Sequence, residues 1–129
     1  MIRIFLACGS LLLVTSCQES FEKRLQREAQ EYTESHCPQN IEPGTRLDST
    51  TYSPRDRTYT SWFSLSQAYE TGLRGNSALL RPRLVNELIN SVDYKTLKDH
   101  EVIFRYVYRS QANGATLYET RITPREYKR

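Results

Sequence analysis

A chain of 129 residues holds a single domain, because domains run to about 100 to 200 residues. Its 18 basic and 15 acidic side chains give a formal net charge of +3 spread along the whole chain, which excludes the concentrated basic field of a nucleic-acid binder. With 38% hydrophobic and 11% aromatic residues, the composition suits a small globular core and excludes a multidomain enzyme or a multi-span membrane protein.

The first residues read as an export signal. Arg3 is the only charge before Glu19, and Ile4 to Val14 form an apolar run ended by Thr15-Ser16. That run is well short of the roughly 20 residues a spanning helix needs. Val14-Thr15-Ser16-Cys17 resembles the lipobox of bacterial lipoproteins, with Val14 where the family prefers Leu. The resemblance implies removal of residues 1–16 and acylation of Cys17 by a thioether-linked diacylglycerol and an amide-linked, palmitate-type chain. Several chains together anchor a protein far more firmly than one. Gln18, rather than Asp, after the cysteine looks like an outer-membrane address of the enteric type. A cleaved secretory signal without lipid is the alternative.

Without residues 1–16 the chain keeps 113 residues with 17 basic and 15 acidic side chains, so it is nearly neutral. If Cys17 carries lipid, Cys37 has no partner in the chain and a disulfide framework is excluded. Cys37 beside His36 reads either as a small buried residue or as a reactive thiol whose pKa a cationic histidine lowers.

From Ser20 to His36, Phe21, Leu25, Ala29 and Tyr32 recur at helical spacing, and opposite charges four apart flank them, so an amphipathic helix is expected, ending before Pro38. Lys23, Arg24 and Arg27 lie near the anchor within reach of anionic headgroups, although interleaved Glu residues favour a solvated face. Asn40 to Gly44 reads as a turn-forming connector. Two strands, Thr45 to Ser53 and Thr58 to Leu65, then form a hairpin around Pro54-Arg55-Asp56. A constant even pairing sum places Leu47 with Tyr59, Phe63 and Leu65, and sends Tyr52, Trp62, Thr60 and Asp48 to the opposite side.

Glu70 to Gly75 reads as a loop. The stripe Leu80, Leu84, Val85, Leu88, Ile89 and Val92 marks a second helix starting near Ala78, with Pro82 in its first turn. Asp93 to Asp99 leads back to the sheet. Val102 to Arg109 alternates as a strand, and a loop of Ala112-Asn113-Gly114 pairs Tyr108 with Tyr118, Tyr106 with Thr120 and Phe104 with Ile122, with Gly114 left-handed. The tail from Thr123 reads as a capped single turn. The expected fold is an α+β two-layer sandwich of order α-β-β-α-β-β: a four-stranded antiparallel sheet of two hairpins with two helices on one face, residues 17–129 forming one domain.

Over residues 37–127, Cys-Pro-x-x-Ile-x-x-Gly-Thr-x-Leu-Asp-Ser followed by aromatic strands resembles the body of small bacterial envelope lipoproteins, a resemblance that implies no particular activity. No nucleophile elbow, phosphate-binding loop, Cys-x-x-Cys or His-Glu-x-x-His motif is present, so no cofactor or metal is expected. His36, His100 and Glu101 are too few and too scattered for a metal site, and no two carboxylates are spaced as a catalytic pair. What remains is the uncovered sheet face, expected to expose Tyr52, Trp62, Ile103, Val107 and Leu117 among Arg105, Arg109 and Arg121. Trp, Tyr and Arg dominate interaction hot spots. The expected function is a non-catalytic, lipid-anchored envelope protein that binds a protein or polymer through this face, with no nucleic-acid partner. The alternative is a small hydrolase or thiol enzyme built on Cys37 and a histidine. On the first reading, Trp62→Ala should cost no more than a surface substitution, about 0.5 kcal/mol.

Overall fold

The computed structural model describes residues 19–128, so the expected export signal and the expected acylation site, Cys17, lie outside the described residues. Helix α1, Phe21–His36, is capped by Ser20, whose hydroxyl accepts from the Lys23 N–H, and it buries Leu25 and Ala29. It stops at Cys37, whose bond to Pro38 is cis. Strands β1 (Gln39–Glu42), β2 (Thr45–Ser53) and β3 (Thr58–Leu65) follow, then helices α2 (Gln67–Asn90) and α3 (Lys95–Asp99), strands β4 (Ile103–Ser110) and β5 (Thr116–Ile122), and the short helix α4 (Pro124–Tyr127). The strands form one sheet in the order β1-β2-β3-β4-β5. Helices α1 and α2 pack on the same face of it, as the α+β two-layer reading expects.

The sheet differs from the expected one in number and direction. It has five strands, because the connector at Gln39–Glu42 pairs with β2 across a turn at Gly44, whose φ of +76° suits a residue without a Cβ. The sheet is mixed, because β3 and β4 are parallel while the other neighbours are antiparallel. The physical reason is the length of α2. A long helix followed by α3 carries the chain back to the end of the sheet it left, and a strand–helix–strand crossover of that kind sets its two strands parallel.

The first hairpin corrects the even-sum pairing. Leu47 faces Phe63, as expected, but a bulge between Leu47 and Ser49 shifts the register, so Thr50 faces Ser61 and Tyr52 faces Tyr59. An extra residue in one strand exchanges its two faces beyond that point. Tyr52 therefore lies under α1, 4% exposed, with its hydroxyl donating to Glu22, and not on the outer face. Thr50 beside it locks α1 in place: its hydroxyl donates to Ala29 O at 2.8 Å and its N–H donates to Thr33 Oγ1 at 2.8 Å.

Helix α2 is longer than its apolar stripe. The expected loop at Glu70 to Gly75 is helical, and the break expected near Ala78 survives only as a kink at Asn76 (φ −127°, ψ 19°). Pro82 lies inside the helix, beyond the first turn. The carbonyl it leaves unpaired belongs to Ala78, and Ala78 and Pro82 both line an open groove of about 750 Å³ beside β5 where water reaches them. The segment Asp93 to Asp99 contains α3 as well as a connection. The second hairpin keeps the expected register, Tyr108 with Tyr118, Tyr106 with Thr120 and Phe104 with Ile122, and Gly114 has φ +73°. A capping box of Thr123 and Glu126 starts α4, and the Tyr127 hydroxyl donates to Val102 O at 2.7 Å.

These placements predict separate energetics for neighbouring positions. Phe104 is 2% exposed between Tyr59, Tyr94 and Tyr127, so Phe104→Ala should cost about 3–5 kcal/mol in denaturant unfolding, whereas Arg105→Ala, on the outer face, should cost about 1 kcal/mol or less. Equal losses would contradict the assignment of faces. A Cβ at Gly44 would lie 2.0 Å from the Tyr69 ring, so Gly44→Ala should lower the melting temperature and loosen the start of α2.

Candidate docking cleft

Helices α1 and α2 cover the edges of their sheet face and leave a gap along its middle. Cavities of about 730 Å³ and about 370 Å³ lie in this gap and share Ile41, Phe63, Tyr94 and Tyr106, so they form one cleft. Its floor is aromatic because β3 and β4 are parallel and in register. Tyr59 sits beside Phe104 and Phe63 beside Tyr108, whose rings stack at 4.8 Å. Tyr94, from the connection before α3, closes one side edge-on to Tyr59 at 6.4 Å.

The cleft is apolar in body and polar at its tips. The hydroxyls of Tyr94, Tyr106 and Tyr108 make no hydrogen bond among the described residues. Burial raises the Tyr59, Tyr94, Tyr106 and Tyr108 phenols above their usual range, Tyr94 and Tyr108 to about 12. The rim carries exposed apolar groups, Ile41 at 51% and Tyr32 at 38%. Its charges are predominantly acidic: Glu28, Glu42, Glu87 and Asp93 against Arg24 and Arg83. Arg83 is shared between Glu42 and Glu87, at 3.6 Å from each. Such a trough fits an apolar segment with polar or basic flanks.

The outer face collects five of the six expected contact residues, Trp62, Arg105, Val107, Arg109 and Arg121, and lacks Tyr52. There Trp62 is already occupied. The Arg105 and Arg109 guanidinium carbons each lie 5.1 Å from its ring centre, and its N–H donates to Thr51 Oγ1 at 3.1 Å. The arginines are held in turn. Arg105 Nε donates to Glu119 at 2.7 Å, which pulls the Glu119 carboxyl below its usual range, and Arg109 lies 3.6 Å from Asp48. Asp48 also accepts from Arg46 at 2.6 Å and from Ser64 at 3.1 Å. Arg121 stands apart, 4.0 Å from Asp56. Val107, the strand neighbour of Trp62 and Glu119, is 1% exposed although it points outward, because these long side chains close over it.

Cys37 and the two histidines are not assembled into a site. Cys37 is half-buried at the C-terminal end of α1, where burial raises its thiol pKa and the helix dipole opposes a thiolate. His100 stacks on Phe21 at 3.7 Å, at the other end of α1, roughly 24 Å from Cys37 by helix rise. His36 stacks on Tyr32 at 4.5 Å. Among the described residues no three His, Cys, Asp or Glu side chains are grouped to hold a metal ion, and no helix is long and apolar enough to cross a membrane.

The cleft escaped the sequence reading because Tyr59, Phe63 and Tyr106 carry the alternation of an ordinary core strand. The width of the gap between two helices leaves no mark in periodicity. Two outcomes follow. The raised phenols stay neutral in the folded chain while unfolded tyrosines ionise near pH 10, so their stabilisation is intact below about pH 10 and is lost as pH rises from about 10 towards 12. Phenolate absorbance at pH 10.5 should therefore be well below that of the denatured chain. Trp62→Ala should cost about 1–3 kcal/mol, above a surface substitution, because it uncovers Val107.

Solved structures share this fold. A Pseudomonas aeruginosa protein described as secreted aligns at 16% identity and TM-score 0.72 over 86% of this chain and all of its own. The type 2 secretion system pilotin EpsS of Vibrio vulnificus aligns at 14% identity and TM-score 0.61, over 84% of this chain and 96% of its own. The pilotin AspS of the Vibrio cholerae type II secretion system gives 11% and 0.61, over 81% and 90%. No curated protein matches the sequence. The family match covers most of the domain: through residues 20–118 the chain belongs to the family described as a domain of unknown function, DUF8479.

Proposed function

We propose that this chain is a non-catalytic, lipid-anchored protein of the bacterial envelope that holds a partner protein in the cleft between α1 and α2. The observation that carries the reading is the open aromatic trough itself, with partnerless tyrosine hydroxyls along it and exposed Ile41 and Tyr32 at its rim. A groove with this mixture of apolar area and solvent-facing hydroxyls that have no protein partner is suited to a protein segment. The fold it shares with two type II secretion pilotins supports a partner within an envelope assembly. Anchoring rests on Val14-Thr15-Ser16-Cys17, and the outer-membrane address on Gln18.

The outer sheet face is the competing surface, for a protein or a polymer. Its Trp62, Arg105, Arg109 and Asp48 already satisfy one another, so a ligand there would first break contacts that the cleft does not have to break. Placing a photoreactive residue at Ile41 and, separately, at Arg105 in the native envelope separates the two. Adducts with a discrete protein from position 41, and none from position 105, are expected. The reverse pattern would sink the cleft reading. Cys17→Ala should abolish acyl labelling and membrane retention, and unaltered labelling would remove the anchor from the account.

A further inference from the structure

The end of the domain nearest Cys17 is built as one rigid corner. Only Gln18 and Glu19 separate Cys17 from Ser20, the N-cap of α1, so the chain from the acylated residue to the start of the helix spans at most about 10 Å. The corner behind it is cross-braced. Phe21 stacks on His100, Glu22 accepts from both Tyr52 and Arg57, and Arg57 donates to the His100 carbonyl. The turn between β2 and β3, the connection after α3 and the α4 turn therefore all lie at the anchored end.

The charges of that end are unevenly committed. Glu22 is held by Arg57 at 2.7 Å, Glu101 by Lys128 at 3.0 Å and Asp56 by Arg121 at 4.0 Å. Lys23, Arg55 and Arg125 are exposed there and have no acidic partner among the described residues. Juxtamembrane cations of this kind are attracted to anionic phospholipid, and the attraction fades within a Debye length, so it acts only if the tether is short.

From the short tether and these free cations, we infer that the corner formed by the start of α1, the β2–β3 turn and α4 lies directly on an anionic phospholipid surface, with Lys23, Arg55 and Arg125 on the headgroups. This rests on the lipid-anchor reading. It holds the domain upright, with the β4–β5 loop at Asn113 at the end away from the membrane, because β4 starts at the anchored corner and ends at that loop.

The test uses the full lipidated protein in a Cys37→Ser background, in phosphatidylglycerol and phosphatidylethanolamine vesicles that contain a headgroup-nitroxide lipid. A bimane fluorophore is placed on Ser53→Cys, at the β2–β3 turn, or on Asn113→Cys, and both positions are exposed in the domain. Quenching at position 53 is expected to be at least twice that at 113. The contrast should shrink in a Lys23→Glu, Arg55→Glu, Arg125→Glu triple variant of unchanged melting temperature. Equal quenching at the two positions in protein whose mass shows an acylated Cys17 would overturn the orientation alone. An undiminished contrast in the triple variant would overturn the role of the cations. A Cys17 without lipid mass would overturn the anchor, and the orientation with it.

Discussion

The bulge at Asp48–Ser49 is the constraint on which both faces of the sheet depend. Before it, β2 turns Leu47 inward and Arg46 outward. After it, β2 turns Thr50 and Tyr52 inward, where they bind Ala29, Thr33 and Glu22 of α1. On the outer side, Asp48 at the bulge receives Arg46, Ser64 and Arg109 and so steadies the cover over Trp62 and Val107. A β2 without the extra residue would put Thr50 and Tyr52 in water and leave α1 without its polar lock.

That lock gives the cleft its shape. Helix α1 is held over β2 by directional bonds to Thr50 and Tyr52, and α2 is held over β4 and β5 by Leu80, Leu84 and Leu88, with Arg81 bonded to Thr120 and to the Arg121 carbonyl. The two helices are fixed to opposite halves of the sheet and not to each other, so the aromatic middle stays open. The Tyr94, Tyr106 and Tyr108 rings are largely packed away, while their hydroxyls, without a protein partner among the described residues, face the open cleft. The cleft therefore reads as a surface kept unfilled by the rest of the architecture.

Much of the frame was legible in the residues. The helical spacing of Phe21, Leu25 and Ala29 gives α1, Pro38 ends it, and the alternation of Phe104, Tyr106 and Tyr108 against Tyr118, Thr120 and Ile122 gives the register of the second hairpin. What was missed involves long-range geometry. A bulge looks like any other residue of a Thr-rich strand, so alternation alone places Tyr52 on the outer face, whereas it lies under α1. The weakly apolar Glu70 to Gly75 reads as a loop because its helix is held from outside, by Tyr69 against Gly44 and the Ser66 N–H on the Gly44 carbonyl. Alternation does place Trp62, Arg105, Val107, Arg109 and Arg121 on one face, but the mutual contacts of Trp62, Arg105 and Arg109 depend on distances that alternation does not carry.

Deleting Ser49 tests this dependence most directly, because it removes the extra residue and leaves every side chain of the lock in the sequence. The account predicts that the deletion variant loses more than about 3 kcal/mol of stability in denaturant unfolding, with Tyr52 and Thr50 turned away from α1 and the helix undocked. A variant that unfolds cooperatively at the same denaturant concentration as the parent, with α1 still protected in hydrogen exchange, would contradict it.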